Sequence, residues 1–313
     1  MKINASLLFL IVLSAHCFSI DSYSVYPSRI IGMGGAFNAV TGDIETVFVN
    51  PAGVATLHKQ SLNISYRNIS PSSGDLFNLS YGVSVPIKIE KAILPITLFG
   101  NNVTAADIYQ QNRIGVNFSF DFSQVLPKNK IFHILSIGSS IEYFSQSYMG
   151  DNEYSDVFAG GKYTAETYIL NAGILLGVFL EDLNLSFTGK YINSPNIGIS
   201  ENNLILPSYI VGISYLFKLS PAIKLLTTID AEYLQSSQFT FRVGLELGVG
   251  KYFLIRGGAE YLDSNFIFAF GLGIKPELKN NAFIIGLAFN IIPQMNNMGQ
   301  GIHSLSATIG MEF

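Results

Sequence analysis

Six charged residues draw attention by where they fall. Asp230, Glu232, Arg242, Glu246, Arg256 and Glu260 lie in three successive stretches of alternating hydrophobicity, and all six belong to the polar set. Carboxylates facing guanidinium groups on adjacent strands can hold a polar substrate or an internal plug. They can also form an ion-pair ladder within a wall, and pairing spares them the penalty of isolated buried charges. Hydrolytic or metal chemistry has no comparable set. The histidines His16, His58, His133 and His303 are too scattered to build a zinc cluster or a catalytic constellation, so neither an enzyme, a cofactor nor a metal is predicted. Gly32-Met33-Gly34-Gly35 echoes a phosphate-binding loop, but no strand precedes it and no Lys-Ser/Thr pair follows.

The elements that must carry these residues follow from composition and period. Eighteen Lys and Arg against 22 Asp and Glu give a net charge of −4, which lacks the basic footprint of a nucleic-acid binder. Mean hydropathy is +0.36. Yet after residue 20 no apolar run approaches the roughly 18 to 20 residues that a spanning helix needs. At the start, Lys2 and the apolar residues 7–13 read as a secretory signal peptide over residues 1–19. The single cysteine, Cys17, follows His16, a poor fit to a lipoprotein cysteine.

From residue 60 onward the dominant signal is strict alternation. Ile114, Val116, Phe118, Phe120 and Phe122 alternate with Gly115, Asn117, Ser119 and Asp121; Leu305, Ala307, Ile309, Met311 and Phe313 do so with Ser306, Thr308, Gly310 and Glu312. About fourteen such segments are predicted, at 60–68, 77–88, 92–99, 113–122, 133–145, 165–178, 183–192, 206–217, 223–235, 239–247, 252–262, 265–274, 282–292 and 302–313. Connections alternate too. Long polar stretches at 101–112, 146–164, 193–205 and 293–301 belong to one rim, and short turns such as 89–91 and 248–251 to the other. That pattern predicts an all-β fold, a transmembrane antiparallel barrel of the bacterial outer membrane. The apolar set must face lipid, because the opposite set holds the six charges, each costly in hydrocarbon. Tyr143, Tyr191, Tyr233, Phe239, Tyr261 and Phe266 are then expected in an aromatic girdle at the long-loop rim, with Phe122, Phe217 and Phe313 at the other. A soluble sandwich would also alternate, but its polar face would be rich in Lys and Glu rather than Gly, Ser, Asn and Thr.

Residues 27–58 do not alternate. Gly32, Gly34 and Gly35 permit close backbone approach, and Asn50 before Pro51 reads as a cap opening a helical turn. A compact segment of this size, residues 20–59, is expected inside the barrel formed by residues 60–313. Asp43 and Glu45 could there reach lumen arginines.

The MGGAF stretch, Asp43, and then Asn50-Pro51-Ala52-Gly53 ahead of a barrel resemble the FadL-type outer-membrane transport superfamily, with closest likeness to its PorV/PorQ-like and UPF0164 families. The resemblance implies fourteen strands and an N-terminal hatch built on Gly32, Gly34, Gly35, Asp43, Asn50, Pro51, Ala52 and Gly53. It also implies passage of small hydrophobic molecules, through a wall gap at a distorted third strand in FadL-type members. Pro95 falls in that strand here, where a missing N–H interrupts the ladder. In PorV-like members the implied role is instead partnership in protein secretion or surface attachment. The expected partners are outer-membrane lipid, the barrel assembly machinery reading the terminal Phe313, a hydrophobic small molecule or secretion-system proteins, and no nucleic acid.

Overall fold

The computed structural model describes residues 26–313 apart from 70–75, 90–91, 106–108, 124–131, 150–161, 179–181, 199–201, 237, 263–264, 279–280 and 292–302. The predicted signal peptide at 1–19, the start of the predicted plug and the loop at 293–301 lie outside the described residues.

Alternating sequence becomes strand throughout. The strands are β1 (Ser61–Asn68), β2 (Leu76–Ile89), β3 (Ala92–Ala105), β4 (Tyr109–Asp121), β5 (Phe132–Met149), β6 (Lys162–Val178), β7 (Leu183–Lys190), β8 (Ser208–Ser220), β9 (Ile223–Leu234), β10 (Gln238–Val249), β11 (Phe253–Leu262), β12 (Asn265–Ile274), β13 (Glu277–Leu278), β14 (Asn281–Ile291) and β15 (His303–Glu312). Each pairs antiparallel with its neighbour in sequence. β13 is a two-residue addition to β14, and β12 pairs with β14 directly. β15 then pairs with β1, Ile64 opposite Ile309, and closes a ring of fourteen wall strands. Closure removes the edges that an apolar sheet would otherwise leave open to pairing.

The two faces separate as the period demands. Ile309, Leu272 and Val211 on the outside are 66%, 60% and 58% exposed, while Ser306, Thr308, Arg256 and Ser214 on the inside are buried. A cylinder with that exterior satisfies its backbone internally and offers hydrocarbon to its surroundings, which is the condition for spanning a bilayer. Val243 is 45% exposed and lies midway along β10. Val243→Arg is therefore expected to cost about 2–4 kcal/mol of folding free energy in lipid. The readout is a fall in the yield of compact, heat-modifiable barrel refolded into vesicles.

Three expectations need correction. Residues 101–105 and 109–112 are strand rather than loop: β3 continues to Ala105 and β4 begins at Tyr109. The stretch 146–164 likewise shortens, because β5 continues to Met149 and β6 begins at Lys162. Pairing runs on through polar sequence there because side chains support it: Asn102 donates to Asn112 across the ladder, and the rings of Tyr109 and Tyr148 lie 4.9 Å apart. Tyr191 does not join the outer girdle. β7 ends at Lys190, Tyr191 takes a left-handed φ of 54°, and its ring turns to the arginine of β4, with Arg113 Nη1 donating to its hydroxyl at 3.1 Å. Tyr143, Tyr233, Phe239, Tyr261 and Phe266 do face outward.

Candidate functional site

Residues 26–57 form α1 (Ser28–Gly32) and two 3₁₀ turns, Ile44–Phe48 and Pro51–Thr56. Asp43 caps the first turn through the amide of Glu45 at 2.7 Å. Asn50 caps the second through the amide of Ala52 at 2.9 Å, with Pro51 in the first turn, where no amide is needed. Ile30, Met33, Phe37, Val40, Val47, Phe48 and Val54 cluster into a small apolar core, completed by Phe99 from β3 and Ala288 from β14. Segments this short are marginal helices on their own, so burial of those side chains supplies most of the order.

The wall receives the segment on small residues. Gly34 has a φ of 63°, and a Cβ there would fall 2.6 Å from the amide nitrogen of Ala259. Gly258 and Gly244, opposite each other on β11 and β10, seat the backbone of Met33. Gly32 approaches Gly271 of β12, and Gly35 lies against the side chain of Arg242. Across the ring, Gly138 of β5 faces Pro51, and Gly173 of β6 faces Asn50. Gly53 packs within the segment itself, on Thr46, and the neighbouring Ala52 is fully buried.

Polar tethers run to many strands. Ser28 N donates to Thr308 Oγ1 at 3.1 Å, and Asn117 Nδ2 to Pro51 O at 3.3 Å. Asn38 donates to Ser186 at 2.8 Å and accepts from Thr188 at 2.9 Å. Lys190 donates to the Tyr26 hydroxyl at 3.2 Å and to Phe48 O at 3.3 Å.

The six charges all turn inward and divide into three arrangements. Arg242 pairs with Glu232 at 2.6 Å and with Glu260 at 3.0 Å, a ladder within the wall. Arg256 Nε pairs with Glu246 at 2.7 Å, and Glu246 also accepts from Arg29 of the segment at 2.6 Å. Asp230 makes no pair with Arg242 despite lying opposite it. Its Oδ2 accepts the amides of Phe37 and Asn38 at 2.8 and 2.9 Å. Asp43 ion-pairs with Arg29 rather than with a lumen arginine. Arg29 is thus the bridge between segment and wall that the sequence reading missed. Its signal was its solitude, as the single basic residue among 26–57, with two carboxylates close behind.

Glu45 is buried beside Asp43, with Asn63 Nδ2 donating to its Oε1 at 2.8 Å. Desolvation first, and the Asp43 charge second, push its carboxyl up to about 8, against the pull of Arg29, Arg256 and Asn63. The folded form thus holds a proton that the unfolded chain gives up near 4.5, so docking is fully supported below that pH and loses support as pH rises toward 8. Protease sensitivity of residues 26–57 should increase between pH 6 and 9 in the native protein and stay flat in Glu45→Gln.

Pro95 is buried, facing inward on β3 opposite Pro86 of β2. The β3–β4 ladder has no pairing at Leu94 or Pro95 and resumes in the same register at Ile93, opposite Asp121. Phe313 is 48% exposed on the outside, and its amide donates to Gln60 O at 3.0 Å. Among the described residues no group of three or more His, Cys, Asp or Glu could hold a metal.

No protein-family profile matches the chain, and neither does any curated protein. Solved structures do. The CymD monoaromatic hydrocarbon channel superposes with a TM-score of 0.62 at 12% identity, over 93% of this chain and 98% of that one. The toluene transporter TbuX of Ralstonia pickettii gives 0.61 at 12%, over 92% and 98%. A FadL homologue of Pseudomonas aeruginosa gives 0.55 at 13%, over 93% and 98%. The chain has the FadL-type barrel fold. Its lipid-facing exterior and closed ring of fourteen strands make it an integral outer-membrane barrel.

Proposed function

We propose that the protein is an outer-membrane channel for small hydrophobic molecules, with residues 1–19 a signal peptide, 20–59 a hatch and 60–313 the barrel. The observation that carries this reading is the filling of the ring. Residues 26–57 contact strands all around it through hydrogen bonds, ion pairs and glycine seats. A filled ring excludes an open aqueous porin, so passage requires the hatch to shift or the wall to open. Reversible polar tethers suit a part that moves. CymD and TbuX, which share the fold, are described as a monoaromatic hydrocarbon channel and a toluene transporter. A partner role in secretion draws no support from the comparisons.

The route we propose leaves the lumen sideways beside Pro95, where two adjacent prolines withhold N–H groups and the ladder to β4 lapses. Cells expressing the protein should take up radiolabelled toluene faster than cells without it. Pro95→Val, which restores a donor, should slow that uptake while leaving the amount of assembled barrel unchanged. Uptake equal with and without the protein would refute the channel, and uptake unaffected by Pro95→Val would refute the lateral route alone.

A further inference from the structure

Along the rim where β1 begins and β15 ends, lysines form a continuous arc from β8 to β12. Lys218 at the end of β8 lies directly opposite Lys224 at the start of β9. Gly250 N donates to Ala222 O at 2.7 Å, which ties the β10–β11 turn carrying Lys251 to the β8–β9 turn. Lys275 N donates to Tyr252 O at 2.7 Å and brings the end of β12 alongside. Lys218, Lys224 and Lys251 are exposed, and Lys275 is half-buried. Lys218 is paired with Asp182 at 2.7 Å and Lys275 with Glu312 at 3.0 Å, whereas among the described residues no carboxylate pairs with Lys224 or Lys251.

Like charges placed directly across a ladder repel. Asp182 offsets only one charge of the facing pair and the turn lysine beside it, so the arc keeps an excess of positive charge that an anion from outside the chain would neutralise. The surroundings of the arc say which anion. Phe217 and Leu219 flank Lys218, Ile223 precedes Lys224, and Phe253 follows Lys251 by two residues, and all four apolar side chains are exposed. Lys218 and Lys224 belong to the lumen-facing set, but they stand at the last rungs of the ladder, where a lysine stem is long enough to carry its ammonium round the rim. A cationic edge bordering an apolar band matches an amphiphile with an anionic head and acyl chains, and each lysine near such a head is worth about fivefold in binding. We propose that the β8–β12 arc is an interfacial site for an anionic phospholipid, its phosphodiester held among Lys218, Lys224 and Lys251 and its acyl chains lying on Leu219, Ile223 and Phe253. The site is on the outside of the barrel, and it stands or falls separately from hydrocarbon passage.

Native mass spectrometry of the detergent-purified full chain tests it, with dioleoylphosphatidylglycerol as the probe and the zwitterionic dioleoylphosphatidylcholine as the control. Phosphatidylglycerol is expected to be retained in preference. Replacing three lysines together, by Lys218→Gln, Lys224→Gln and Lys251→Gln, should weaken its binding at least about tenfold, and Lys251→Gln alone, in a turn, about fivefold. Lys59→Gln with Lys88→Gln, which removes exposed lysines of the same rim outside the arc, should leave it within about twofold. Heat-modifiable mobility should be unchanged in every variant, because these side chains are exposed. Equal retention of the two lipids would overturn the proposal, and so would a loss in the Lys59 and Lys88 variant as large as that in the triple variant. Deacylated glycerophosphoglycerol competing as strongly as the intact lipid would overturn the assignment to a lipid, and polyglutamate doing so would reassign the arc to an acidic protein. Toluene uptake, measured in the same variants, reports on the channel independently.

Discussion

Replacing Arg29 by alanine is expected to unseat residues 26–57, the proposed hatch, and make the outer membrane leaky to large hydrophilic antibiotics. Arg29 donates from Nε and Nη2 to both oxygens of Glu246, at 2.8 and 2.6 Å, and pairs through Nη1 with Asp43. Among the described residues it is the ion-pair link from residues 26–57 to the wall, and its guanidinium also lies 5.0 Å from the ring centre of Phe37. Removing one partner from such a buried network costs about 3–5 kcal/mol, chiefly because charge is left without compensation. Here the loss is uneven: Glu246 keeps Arg256, whereas Asp43 keeps backbone contacts alone. The damage should therefore fall on hatch docking and spare the barrel. Vancomycin sensitivity and limited proteolysis read the first, and heat-modifiable electrophoretic mobility reads the second. Arg29→Lys should fall between alanine and native. Unchanged sensitivity with a protease-resistant hatch would show that the apolar core and the amide contacts to Asp230 suffice.

A comparable effect is expected from Gly258→Val, by pure sterics. The new Cβ would fall on the carbonyl carbon of Met33 and the amide of Gly34, which are backbone atoms and cannot swing aside. The facing position is closed as well, because Gly244 already lies against Met33 O. Overpacking of a tight contact costs about 1–3 kcal/mol where neighbours can adjust, and this position sits at or above the upper end because backbone must move. Gly257→Ala is the internal control. Its Cβ would meet nothing within 4 Å, and it should stay within about 0.5 kcal/mol of native. Antibiotic leakage from Gly258→Val but not from Gly257→Ala would establish that the lumen glycines are seats for the hatch. Equal behaviour of the two would remove that role.

Much of the architecture was legible because its signals are local. A period of two in 305–313 places Ile309 outward and Thr308 inward whatever lies elsewhere, since successive strand residues face opposite ways. Lipid then fixes which set is outside, because Arg256 or Glu260 could not face hydrocarbon. Strand ends were less legible. Residues 101–105 look like loop by composition, but pairing with β2 and β4 keeps them extended. Tyr191 was misplaced because one left-handed residue resets the alternation, and nothing in its neighbours announces that.

The site divides along the same line. Composition and alternation alone determined that charges of both signs would share the lumen, and that a glycine-rich, non-alternating segment would precede the barrel. The ring decided the partners. Asp230 meets the amides of Phe37 and Asn38, and Arg29 meets Glu246, only because β9 and β10 curve round to face a segment some two hundred residues earlier. Strand pattern acts between neighbours and can be read residue by residue. Contacts across a lumen depend on closure, tilt and the path of the enclosed chain, which no local window contains.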